Sequence, residues 1–149
     1  MEETINIKPQ ENQKPQVFKL FLIFSMINGG LSLFSNFVFY AASDMIRQAF
    51  EGKDKINFMG MDLDLSPFMN TDKNFFLFQG ILYAISFGGA LYMWKGRKIG
   101  FHFYTLAQIL LLIVASFYLT GMPFPIFDIL LTGIFIYVYA KNMKLMKPL

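Results

Sequence analysis

Apolar residues along this chain come in long blocks, and polar residues inside each block recur three and four positions apart. The blocks run over 17–42, 75–94, 99–120 and 126–140. A helix crossing a membrane needs about 20 apolar residues to span a hydrocarbon core of ~30 Å. The pattern therefore predicts an all-α integral membrane protein, a four-transmembrane-helix bundle. The first block would be roughly 39 Å long at ~1.5 Å per residue, so it tilts or projects. The fourth would be only ~22 Å, so it sits short or upright.

The polar positions inside the blocks form stripes at helical spacing. In the first helix they are Ser25, Asn28, Gly29, Ser32, Asn36 and Ser43, opposite Phe21, Ile23, Phe34, Phe37 and Val38. In the second they are Gln79, Tyr83, Ser86 and Ala90, with Gly88-Gly89 allowing close backbone approach. The third carries His102, Thr105, Gln108 and Ser116, and the fourth Asp128, Thr132 and Tyr139. An amide turned toward lipid would lack partners, so the stripes face other helices. Aligning the spans stacks the polar residues into two layers. Asn28, Ser86, Gln108 and Thr132 make a middle layer, and Asn36, Gln79, Ser116 and Asp128 an outer one. Such layers act either as interhelical hydrogen bonds that fix pairing or as the lining of a polar cavity.

Residues 43–73 are the one long connection. Ser43-Asp44 either caps a short amphipathic helix ending at Gly52, or the first helix runs on to Glu51. Alternation on both sides of Gly60, from Ile56 to Leu65, predicts a small β-hairpin within an outer loop subdomain. Pro67 ends that segment, and Asn70, Thr71 or Asp72 caps the next helix. Residues 1–16 are polar and read as a disordered tail. The single membrane domain covers 17–141, and 142–149 read as a basic tail. A signal peptide has a shorter apolar core than the run from Leu20 to Tyr40, so the first helix is expected to stay attached.

Charge orients the bundle. Lys95, Arg97 and Lys98 surround Gly96 in a turn between two apolar blocks. Lys8, Lys14 and Lys19 precede the first block, and Lys141, Lys144 and Lys147 follow the last. With four spans these nine cations share one side, against Arg47, Lys53, Lys55 and Lys73 on the other. The positive-inside rule then places both termini in the cytoplasm. Trp94, Tyr92, Tyr104, Tyr137 and Tyr139 are expected at the inner interface, where aromatic belts form. Lys95, Arg97 and Lys98 would also meet anionic lipid at about 1 kcal/mol each. A Phe-, Ile-, Lys- and Asn-rich composition suggests an AT-rich bacterial genome and the cytoplasmic membrane.

Composition agrees with this picture. Of 149 residues, 55% are hydrophobic and only 15% charged, where a soluble domain has about a quarter charged. The net charge of +3 does not point to nucleic acid, because the cations flank apolar blocks. With no cysteine, disulfides, thiolate metal sites and thiol catalysis are excluded.

Few residues could carry chemistry. Asp128 is the only acid within the spans, an ionisable residue where function is the default hypothesis. It also stands three residues after Pro125, where the helix dipole favours a carboxylate. His102, the only histidine, suits the half-wet interface and has no second histidine to share a metal. Asp62, Asp64, Ser66 and Asn70 imitate the start of a calcium loop. Pro67 and Lys73 stand where glycine and glutamate are required. The loop methionines Met45, Met59, Met61 and Met69 are soft ligands for Cu(I), but methionine is equally an adaptable hydrophobe. No metal and no cofactor are expected, and no nucleophile–base set occurs. The sequence favours a non-enzymatic accessory or scaffold subunit. Its partners would be membrane lipids together with another protein or a second copy. The alternative is a transporter or ligand-binding bundle for a small solute, ion or lipid, built around Asp128.

Overall fold

The structure, a computed structural model, describes residues 14–52, 55–58, 60–64, 66–118 and 126–148. The expected tail before Lys14, residues 53–54, Met59, Leu65, the expected end of the third span at 119–120, the turn expected at 121–125 and Leu149 lie outside the described residues. The elements in order are α1 (Gln16–Ala49), β1 (Lys55–Phe58), β2 (Met61–Asp64), α2 (Ser66–Asn70), α3 (Lys73–Trp94), α4 (Ile99–Tyr118) and α5 (Ile126–Asn142). A 3₁₀ turn, Met143–Leu145, follows α5. Four helical stretches are long and apolar enough to cross a membrane: α1, α3, α4, and α5 with its 3₁₀ extension.

α1 does not stop at residue 42. It runs on to Ala49 and is 34 residues long, about 51 Å at the usual rise. The Ser43 hydroxyl, a candidate cap for a new helix, instead donates back to the Tyr40 carbonyl at 3.0 Å. The overrun is held from the side. Lys73 pairs with Asp44 at 3.2 Å, and the Arg47 guanidinium donates to the Thr71 carbonyl.

The hairpin is present. β1 and β2 pair antiparallel with Lys55 opposite Asp64 and Phe58 opposite Met61. The Asn57 amide donates to Asp62 across the strands at 2.9 Å. Asp64 accepts from the Ser66 amide at 2.9 Å and from its hydroxyl. These bonds from Ser66 hold the Asp64 carboxyl below the usual carboxylate range. The spacing that imitates a calcium loop is thus a local turn chemistry. Pro67 does not end the segment; it occupies the first turn of α2, where its missing N–H costs nothing.

α3 is the centre of the bundle. Asp72 caps it by accepting from the Asn74 amide at 2.8 Å. At its other end the Gly96 amide bonds the Met93 carbonyl and the Arg97 amide bonds that of Tyr92, each at 2.9 Å. This is the Schellman arrangement, which needs a left-handed residue just past the helix. Gly96 supplies it, with φ +79°. The basic turn therefore has a geometric reason for its glycine.

α1 lies antiparallel along one side of α3. Gly29 faces Phe87, and Gly80 faces Asn36 and Phe37. Phe39 meets Phe76 at 5.7 Å. α4 lies along the other side, and there the backbones nearly touch. A Cβ on Gly100 would come within 2.4 Å of the Gly89 carbonyl oxygen, and one on Gly89 within 2.7 Å of the Tyr104 nitrogen. Gly88, by contrast, has open space. This crossing decides the buried face of α4: Gly100, Tyr104, Ala107 and Leu111. His102 and Ser116 are exposed, so the expected polar face of α4 is corrected at both ends.

Both described ends of the chain meet the α3–α4 turn. Lys14 donates to the Met93 carbonyl at 3.2 Å and to that of Trp94. Burial there, with Lys19 nearby, holds its ammonium below its ordinary pKa. The carboxyl-terminal segment is not a free basic tail. The Lys147 amide bonds the Gly96 carbonyl at 2.7 Å, the Lys98 amide bonds the Lys147 carbonyl at 3.1 Å, and Met146 is buried in the core. Lys14, Arg97 and Lys147 thus share one end of the bundle.

Candidate functional site

α5 is held to the rest mainly around Tyr139, with Phe135 and Val138 packed beside it. Tyr139 is its single buried residue. The Tyr139 hydroxyl donates to the Phe21 carbonyl at 2.8 Å and lies 2.5 Å from Ser25 Oγ. Ser25 also donates to the Tyr104 hydroxyl at 3.1 Å. Ring edges of Phe18, Tyr104 and Phe135 surround Tyr139 at 5.8, 5.0 and 6.2 Å. Tyr104 and Tyr139 are therefore turned into the core rather than outward. Their hydroxyls find Ser25 in the core instead, which removes the reason for a tyrosine to seek water. Tyr92, Trp94 and Tyr137 remain exposed.

From that anchor α5 runs toward the opposite end without closing on its neighbours. The space left between α1, α3, α4 and α5 is a cleft of about 600 Å³. All four residues of the expected middle layer, Asn28, Ser86, Gln108 and Thr132, line it. From the expected outer layer, Gln79 and Asp128 line it as well. The other two do not. Asn36 donates to the Ser32 carbonyl at 2.8 Å and Ser116 to the Leu112 carbonyl at 2.9 Å. Each is satisfied within its own helix, so neither needs to face inward.

Two uses of polarity coexist in the cleft. Gln108 donates to Ser86 Oγ at 2.9 Å, joining α4 to α3. That pair is interhelical packing of the bland kind. Gln79 is different: it is buried from the outside, lines the cleft, and has no hydrogen-bond partner among the described residues. The cleft leaves its amide open to water or a guest rather than sealed and unpaired; among the described residues the buried polar atoms without a partner are Arg47 Nε and Thr105 Oγ1. Tyr83 also lines the cleft, near Ser32 and Asp128. Asp128 sits in the first turn of α5. It is the only charged residue among the described ones that line the cleft.

The remaining lining is apolar, part aromatic and part aliphatic, and includes Phe21, Phe24, Phe135, Leu111, Leu112 and Leu131. Phe21 was expected on the lipid side of α1. It turns inward instead and meets Phe135 ring to ring, tilted, at 4.7 Å. The basic turn residues Lys95, Arg97 and Lys98 lie at the other end, away from this site. No family model, curated protein or solved structure matches this chain.

Proposed function

We propose that this chain is an integral membrane protein that binds a small, mainly apolar molecule in the cleft between α1, α3, α4 and α5, as a non-enzymatic binding or transport unit. The cleft carries the reading. Its volume of about 600 Å³ falls within the 300–1,000 Å³ usual for small-molecule sites. Like such sites it has apolar walls and a few polar groups that could orient a guest. No nucleophile with a base beside it occurs among its lining residues.

Orientation follows from charge. The end that gathers Lys14, Lys19, Arg97, Lys98, Lys141 and Lys147 faces the cytoplasm of a bacterial cell. Lys95, Arg97 and Lys98 there contact anionic lipid headgroups. The hairpin and α2 then form the outer subdomain, and the Asp128 end of the cleft opens on that side.

A second reading keeps the chain as an accessory subunit. Its support is the surface of α5, where Ile126, Phe127, Leu130, Ile134 and Tyr137 are all more than half exposed. That face could be covered by lipid alone, by a protein partner or by a second copy.

Binding of Nile red, a neutral dye that brightens in apolar surroundings, separates the two readings. The full chain in non-ionic detergent is expected to bind it saturably. Ala115 lines the cleft, and Ala115→Trp should fill it and abolish that binding. Equal dye responses in both proteins would remove the ligand-binding reading and leave assembly.

A further inference from the structure

We infer that the cleft selects lipophilic cations, organic molecules carrying a positive charge on an aromatic or alkyl body, over anions of the same shape. This rests on the reading that the cleft holds a ligand, and it specifies the ligand's charge.

The first observation is the charge inventory. Asp128 is the sole charged residue among the described ones that line the cleft, and the remaining polar lining consists of amides and hydroxyls. Residues 119–125, which join α4 to α5, include no charged residue that could neutralise it. The amino terminus of α5 opposes Asp128 with about half a positive charge, less than the full negative charge of the carboxylate. The sign of the site therefore stays negative.

The second observation is where the cations are. Tyr139 packs on Phe18 and Tyr104 near the basic end. Asp128 lies eleven residues earlier along α5, about 16 Å away. Lys14, Arg97 and Lys147 are tied to the α3–α4 turn beyond Tyr139. They lie beyond the screening distance of ~8 Å that applies in physiological salt. At the Asp128 end, the connection 43–73 holds six acids and four cations, and the Lys73–Asp44 pair leaves that excess of acids unchanged. A positively charged guest approaching from that side meets a net negative surface.

The third observation is the wall. Phe21, Phe24, Tyr83 and Phe135 line the cleft. Aromatic faces attract cations and repel anions through the ring quadrupole. Gln79, Gln108 and Asn28 offer amide oxygens as well as N–H groups. Aromatic walls with one carboxylate suit a delocalised cation, which loses little hydration on entering.

Tetraphenylphosphonium and tetraphenylborate make the test, because they share a shape and differ in sign. Each is measured by equilibrium dialysis against the full chain in non-ionic detergent, with Ala115→Trp as the baseline for uptake by micelles. The expected result is saturable binding of the phosphonium, tighter than that of the borate by roughly tenfold or more. Asp128→Asn should abolish this preference and Asp128→Glu should keep it. Borate binding as tight as phosphonium binding, or a preference that survives in Asp128→Asn, would overturn the inference. If the wild-type chain binds Nile red saturably but not the phosphonium, the charge assignment falls and the cleft remains a site. If it binds neither, both fall together.

Discussion

Gly100→Ala is expected to weaken the bundle by about 3 kcal/mol, the upper part of the usual range for overpacking. The new methyl group would stand 2.4 Å from the Gly89 oxygen and 2.6 Å from the Met93 nitrogen. Both obstacles are backbone atoms of a neighbouring helix, so no side chain can swing aside. α3 and α4 must separate or slide along their whole contact. Gly89→Ala should have a similar effect, since its methyl would meet the Tyr104 nitrogen at 2.7 Å. The double substitution should cost less than the two single costs combined, because the first displacement makes room for the second. Gly88→Ala is the control. Nothing lies within 4 Å of its added carbon, and alanine favours a helix by up to ~1 kcal/mol, so stability should hold or rise. Unfolding by dodecyl sulfate, followed by circular dichroism, reads all four variants.

Tyr139→Ala should cost about 3–5 kcal/mol, the range for removing a large buried ring. Tyr139 is completely buried and is the only fully buried residue of α5; Phe135 and Val138, the other α5 residues packed against the core, are only partly buried. Tyr139→Phe tests what the hydroxyl contributes. Hydrogen bonds between membrane helices average only about 0.6 kcal/mol, and Ser25 keeps Tyr104 as a partner in that variant. The phenylalanine variant should therefore lose about 1 kcal/mol or less, which makes ring packing the larger contribution by several-fold. The same unfolding titration checks both variants, and equal losses in the two would reverse that ranking.

Hydropathy and helical spacing were enough to place the four long helices, because membrane spans are set by length and apolarity alone. The inward stripe of α3, from Gln79 through Ser86 to Ala90, was legible for the same reason, as was that of α5, from Asp128 through Thr132 to Tyr139. The α4 face was not. There the buried face follows the contact between Gly89 and Gly100, and Gly100, though inside the third apolar block, carries no polar side chain that would mark it as part of an inward stripe. The cluster of Ser25, Tyr104 and Tyr139 was equally hidden. Its members come from three helices, and nothing local marks which tyrosine hydroxyls turn to protein rather than water. The length of α1 was an open choice between a new helix at Ser43 and a continuation. Contacts far along the chain, Lys73 with Asp44 and Arg47 with Thr71, support the continuation. Six of the eight residues in the two polar layers line the cleft. Asn36 and Ser116 could satisfy themselves on their own helices, a route that periodicity does not reveal.

Access of water to the cleft tests the central claim most directly. The chain has no cysteine, so single cysteines can replace Asn28, Gln79, Gln108 or Asp128, with Met61→Cys in the exposed hairpin as the positive control. A membrane-impermeant thiol reagent is then added from the hairpin side. The cleft predicts that Asp128→Cys and Gln79→Cys label readily and that Gln108→Cys labels more slowly, from deeper in the same space. Labelling of Met61→Cys with none of the four would mean that the helices close on one another and that no such cleft exists.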